Sequence, residues 1–157
     1  MDKFKEPKPL NDVAEFHDTF NLPVLDEPTI PSKERCALRI NLLEEELKEL
    51  KVAIEENDIV EVIDAFCDIQ YVLSGAILEF GFGEKFKSFF EEVQRSNMSK
   101  TCKSIEEAQE TQKHYKNKDG TESEIVQKGD EYLVYRKSDR KVLKSVNYSE
   151  ANLKQFF

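Results

Sequence analysis

Two clusters of carboxylates fall where a helix should be apolar: Glu45-Glu46-x-x-Glu49, then Glu61, Asp64 and Asp68. Acids scattered over a helix are solvated decoration. Acids that share an apolar face must be compensated, because an unpaired buried carboxylate is very costly. Two facing helices that turn such groups inward make an oxygen-lined cage, and hard divalent cations such as Mg²⁺ prefer oxygen ligands. Mg²⁺ usually keeps several waters and completes its shell with substrate phosphates, so this chemistry points toward phosphate.

The elements that must position these acids follow from local signals. Residues 10–20 read as a short amphipathic helix carrying Val13, Phe16 and Phe20, followed by an extended connector through Pro23, Pro28 and Pro31, because each proline disfavours helix at the residue before it. Ser32 is a good N-cap for a second helix over about 33–56, and Asp58 caps a third that runs to about Phe80, where Gly81 and Gly83 supply the stop. A fourth helix is expected over about 84–97. A fifth runs from Ser104, in a capping box with Glu107, to about Tyr115. Beyond Gly120 the pattern shifts to period two, and 125–126, 132–135 and 142–146 read as short strands, with a last helical turn at 149–153. The expected fold is all-α, a core resembling a four-helix bundle over 1–120 with a small β-hairpin or meander appendage over 121–157.

On a wheel of about 100° per residue, Ile40, Leu43, Leu47, Leu50 and Ile54 form the stripe with which the second helix packs. Glu46 is the one charged residue inside the apolar sector. Glu49 borders it and Glu45 lies further out, while Glu44, Lys48, Lys51 and Glu55 face the other way. The third helix is apolar almost all round, as in a bundle centre or an oligomer interface. Its acids do not scatter: Glu61, Asp64 and Asp68 form one strip that Gly75 prolongs. Such a strip is also what the single wet face of a buried helix looks like.

Composition excludes other classes. The net charge of −9 argues against a nucleic-acid partner. Cys36, Cys67 and Cys102 form no C-x-x-C pair, and His17 and His114, read as surface residues, are too few and too far apart for zinc. No stretch of eighteen apolar residues offers a membrane span. The N-terminal residues lack an apolar signal core, and a reduced cytoplasmic setting is expected. Residues 44–68 hold ten acids against two lysines. Arg136, Lys137, Arg140, Lys141 and Lys144 instead gather within nine residues of the tail.

Glu45-Glu46-x-x-Glu49, followed by an acidic helix running into Asp68-Ile69-Gln70-Tyr71-Val72, resembles the all-α nucleoside triphosphate pyrophosphohydrolases, which include MazG proteins, phosphoribosyl-ATP pyrophosphohydrolase and dimeric dUTPases. The likeness covers most of residues 10–100. It extends to Ser96-Asn97-Met98-Ser99-Lys100 and to Lys141-Val142-Leu143-Lys144 with Asn147-Tyr148, which look like one MazG-like branch. The resemblance implies Mg²⁺- or Mn²⁺-dependent hydrolysis of a nucleoside triphosphate to the monophosphate and pyrophosphate, as nucleotide-pool house-cleaning. It implies Glu46 and Glu49 as main metal ligands, Glu45 as a second-metal ligand or water-positioning base, and Asp68 as the aspartate of an ExxD motif. Ala65 stands where that motif has its glutamate, so either Asp64 joins Asp68 or Glu61-x-x-Asp64 is itself the motif. Asn97, Lys100, Lys144 and Tyr148 are expected to bind substrate, and Phe16, Phe20 and Tyr71 to stack a base or to serve as core. Arg39 is expected to pair with a bundle acid.

Three alternatives stay open at this stage: a dUTPase, a phosphoribosyl-ATP pyrophosphohydrolase, and an acidic helical module that docks a basic protein. A homodimer or homotetramer is expected from the third helix.

Overall fold

The computed structural model describes residues 3–157. The chain forms two compact units, one ending at Phe86 and the other comprising Lys87–Phe157. The sequence divides the chain after residue 120 into a core and an appendage; the compact units part at Phe86, before most of the fourth helix.

The first unit holds three helices: α1 (Pro9–Thr19), α2 (Lys33–Glu56) and α3 (Ile59–Glu79). The caps act as the sequence predicts. Ser32 accepts a hydrogen bond from Arg35 N at 3.3 Å, and the Asp58 carboxylate accepts from Val60 N and Glu61 N. Between the helices Asn57 adopts a left-handed conformation, so α3 folds back along α2. Gly81 ends α3 with φ +70°, and a Cβ there would lie 2.0 Å from the Glu27 carbonyl oxygen. The connector runs that close because Leu25 N and Thr29 N donate to the carbonyls of Leu78 and Phe80.

The apolar stripe of α2 packs inside the chain only along one edge, where Leu43 and Leu50 are half-buried. Ile40, Leu47 and Ile54 are each more than half exposed, whereas Arg39 and Ala53 are buried. The sequence predicts an inward stripe because apolar residues mark a buried face; the face turned to α3 instead lies about 80° round the helix and includes Arg39, Glu46 and Ala53. On α3, Ile59, Val60, Ile63 and Phe66 are exposed as well, while Ala65, Ser74, Gly75 and Ile77 are buried.

The second unit contains α4 (Phe86–Met98), α5 (Ile105–Asp119) and one antiparallel hairpin, β1 (Ser123–Lys128) with β2 (Glu131–Arg136). The helix-plus-hairpin content agrees with an all-α protein carrying a small β appendage. The expected third strand at 142–146 is replaced by a single bridge, Tyr135 to Val142. The last helical turn falls at Leu153–Phe156, later than 149–153. Helix α5 packs on both strands over a core of Cys102, Ala108, Val134 and Leu143. Its Ser104 cap accepts from Glu107 N, and the Glu107 carboxylate accepts from Lys103 N and from the Ser145 hydroxyl. The tail beyond is sewn to α4: Asn152 N donates to Glu92, Ser149 N to the Ser99 hydroxyl, and Arg95 to Ser149 Oγ and the Glu150 carbonyl.

No helix is long and apolar enough to cross a membrane among the described residues.

Candidate active site

Glu46 is the centre of the acidic seam between α2 and α3. It is half-buried, and its Oε2 is shielded from water with no hydrogen-bond partner among the described residues. Its pKa is pushed above the ordinary value, first by burial and then by the charges of Asp68, Glu49, Glu45 and Asp64. Those four, with Glu46, are five of the six carboxylates singled out from sequence, Glu61 being the sixth, so the structure brings these five within electrostatic reach of one another. They do not close into a ready-made cage. Among the described residues no three His, Cys, Asp or Glu side chains stand close enough together to hold an ion.

Beside this seam lies a cleft of about 470 Å³ lined by Glu45, Lys48, Glu49, Glu56 and Glu61, with Val52 and Ala53 as its apolar wall. Lys48 and Glu56 were missed. The sequence puts Lys48 on the solvated side with Glu44, Lys51 and Glu55; it lines the open cleft with Glu45 and Glu49. Glu56 lies seven residues after Glu49, on the same face, and that spacing could have flagged it. Glu61, left open in the sequence, also faces this cleft. Lys51 and Glu55 pair with each other on the exposed side, as expected.

At the other end of the same seam the charge reverses. Glu79, 1% exposed, accepts from Arg35 and from Arg39 Nη2 at 2.5 Å. Burial alone would raise the Glu79 pKa, but the hydrogen bonds from Arg39 and Arg35 outweigh it and hold the carboxyl below its ordinary value. The expectation that Arg39 pairs with an acid is met. His17, expected at the surface, is only 2% exposed, because Arg39 and the Pro23 carbonyl give its ring nitrogens partners. Gly75 leaves the notch this requires: a Cβ there would stand 2.7 Å from Arg39 Nη1. Above the cluster is a cavity of about 230 Å³ whose walls include Phe16, Leu38, Tyr71 and Val72. Phe16 and Tyr71 meet edge to face with centroids 5.5 Å apart. Both rings, and Phe20 with them, remain over a third exposed rather than forming core.

The remaining substrate candidates lie in the second unit, where hydrogen bonds and a cation–π contact involve them. Lys100 Nζ donates to Asn97 Oδ1 at 2.7 Å, the Lys144 ammonium lies 4.2 Å from the centroid of the Tyr148 ring, and the Tyr148 hydroxyl is 2.9 Å from Ser96 Oγ. Ser145 N, next to Lys144, donates to the Lys100 carbonyl.

Residues 13–97 match phosphoribosyl-ATP pyrophosphohydrolase, and that span is more than half of the chain. The chain belongs to the phosphoribosyl-ATP pyrophosphohydrolase family. This sets it in the MazG-like superfamily of nucleoside triphosphate pyrophosphohydrolases and points to a hydrolase acting on phosphoric anhydrides. All five carboxylates, Tyr71 and Asn97 fall inside the matched span; Lys100, Lys144 and Tyr148 lie beyond it. An uncharacterized protein of Acanthamoeba polyphaga mimivirus is 25% identical, over 89% of this chain and 92% of its own length.

Proposed function

We propose that this pyrophosphohydrolase family member cleaves a nucleoside triphosphate to the monophosphate and pyrophosphate, as nucleotide-pool house-cleaning, with Mg²⁺ or Mn²⁺ held by Glu46, Glu49, Asp64, Asp68 and Glu45. One observation carries the reading: a water-shielded carboxylate oxygen of Glu46 has no partner and is surrounded by four further acids. An all-oxygen donor set of this kind fits a hard divalent cation and no soft one. Bound there, the ion would supply the positive charge that lets these acids coexist and would lower the pKa of a water it holds.

The chain's own residues do the rest. Glu45, on the rim of the cleft, is the group we assign to hold that water in line and accept its proton. The new bond forms between the water oxygen and the α-phosphorus, and the bond to the bridging oxygen of the departing pyrophosphate breaks. Lys100 and Lys144 are assigned to the phosphate oxygens as mobile point charges, Asn97 and Tyr148 to their orientation. Tyr71 with Phe16 is assigned to the base, which the cavity of about 230 Å³ is large enough to accept.

A (d)NTP panel with pyrophosphate detection tests this. At least one nucleotide should release pyrophosphate only with Mg²⁺ or Mn²⁺, and Glu46→Ala and Asp68→Ala should each lose about a hundredfold or more of the turnover with unchanged helical circular dichroism. Phosphoribosyl-ATP belongs in the panel, because the family match favours it as the second reading. No cleavage of any member would sink the proposal. We further propose that the exposed stripes of α2 and α3 are covered by a second copy of the chain.

A further inference from the structure

Three features follow one another along the hairpin of α2 and α3. The apolar cavity takes Leu38 and Leu42 from α2, and Tyr71 and Val72 from α3. The acidic seam comes next, with Glu45, Glu46 and Glu49 on α2 and Asp68 and Asp64 on α3. The cleft of about 470 Å³ follows, reaching Val52 and Glu56 on α2 and Glu61 on α3. At about 1.5 Å per residue, Leu42 lies about 6 Å before Glu46 along the helix axis and Val52 about 9 Å after it. Leu38, Leu42, Glu45, Glu49, Val52 and Glu56 also fall within about 80° of one another on the wheel, so cavity and cleft line one side of α2. A nucleotide with its ring in the cavity and its α-phosphorus at Glu46 carries its remaining phosphates over the cleft.

Lys48 is the one basic residue lining that cleft among the described residues, and it is exposed. Its ammonium is also unspent. Glu44 precedes it by four residues, the favourable order for a helical ion pair, and Lys51 with Glu55 and Lys87 with Glu91 form pairs at that spacing. Lys48 makes none among the described residues, with Glu44 or with the acids of the cleft. Resting on the hydrolase reading, we infer that Lys48 is a further catalytic residue, which donates to an oxygen of the departing pyrophosphate. When the bond from the α-phosphorus to the bridging oxygen breaks, its electron pair stays on the pyrophosphate, and an ammonium beside it offsets that charge. Lys100 and Lys144 belong to the other unit. Lys48 is the cation supplied by the helix that carries the metal-binding acids, and two of its acidic neighbours in the cleft, Glu45 and Glu49, are the ones assigned to the metal.

Inorganic pyrophosphate with Mg²⁺ is a probe that needs no knowledge of the base. Calorimetry on the full chain should show it binding the wild type, and binding Lys48→Met about tenfold more weakly, the size expected of a hydrogen bond to a charged group. Lys48→Arg keeps the charge and the donors and should recover most of that loss. Mg²⁺ alone should bind Lys48→Met no more weakly than the wild type, because the charge removed opposes the cation. With any triphosphate that is cleaved, Lys48→Met should lower kcat/KM by a similar factor. Pyrophosphate that ignores the wild type, or binds Lys48→Met equally well, overturns the inference. So does a parallel loss of Mg²⁺ binding, which would trace the defect to the metal site. Cleavage untouched by Lys48→Met refutes this inference alone; pyrophosphate binding that depends on Lys48, without cleavage of any triphosphate, refutes the hydrolase reading and leaves Lys48 standing as a pyrophosphate ligand.

Discussion

Glu46 is a carboxylate held against its preference. Its pKa lies above the ordinary 4.5, chiefly through burial. The folded chain therefore keeps a proton that the unfolded chain has already lost, and stability falls as pH rises from about 4.5 through the folded value. In chelator, Glu46→Gln should raise the melting temperature at pH 7, and the gain should vanish at pH 4. Adding Mg²⁺ should stabilise the wild type and leave the variant unmoved. A melting temperature at pH 7 that drops on substitution would show that the charge is not a burden. At the same scale, sequence reading found the five acids because their spacing is local. It missed His17 and Glu79, whose partners are Pro23, Arg35 and Arg39. Glu79 lies 44 and 40 residues from its two arginines, and no local pattern announces a pairing across that distance.

The helices began where their caps said they would. Ser32, Asp58 and Ser104 all accept from backbone N–H groups of the first turn, and capping is legible because it involves residues two or three apart. The rotation of α2 was not legible, since nothing inside one helix says whether its apolar stripe meets its own chain. The third strand failed for a related reason: Val142 alternates properly but finds one bridging partner, Tyr135, and no ladder. Two substitutions test the hairpin of α2 and α3. Glu79→Gln leaves two arginines without their counter-charge in a closed space, and breaking a buried pair costs about 3–5 kcal/mol; the loss is read by urea unfolding. The ion pair itself stabilises the fold above about pH 4.5 and is lost as pH falls through the depressed Glu79 value. Gly81→Ala must place a Cβ 2.0 Å from Glu27 O at a positive φ, a change expected to cost about 1–3 kcal/mol. A melt like that of the wild type would contradict the close approach of connector and helix end.

For the whole molecule, charge is divided between the two units. Residues 1–86 hold 9 basic against 20 acidic side chains, and residues 87–157 hold 14 against 12. The apolar surface is divided too. Ile40, Leu47 and Ile54 on α2, and Ile59, Ile63 and Phe66 on α3, lie open on helices that also carry the acids, and open apolar patches of this kind mark protein interfaces. Sedimentation at micromolar concentration should give a dimer or a dimer of dimers, and Leu47→Glu with Ile63→Glu should yield a smaller species. A wild-type monomer would refute the interface.

The open stripe of α2 also bears on how such a chain is assayed. If its cover is a second copy, then dilution acts as a slow denaturant, and catalytic output per milligram should decline as stock solutions are thinned into the nanomolar range. A preparation pronounced inert at trace concentration would have been tested after its halves had drifted apart.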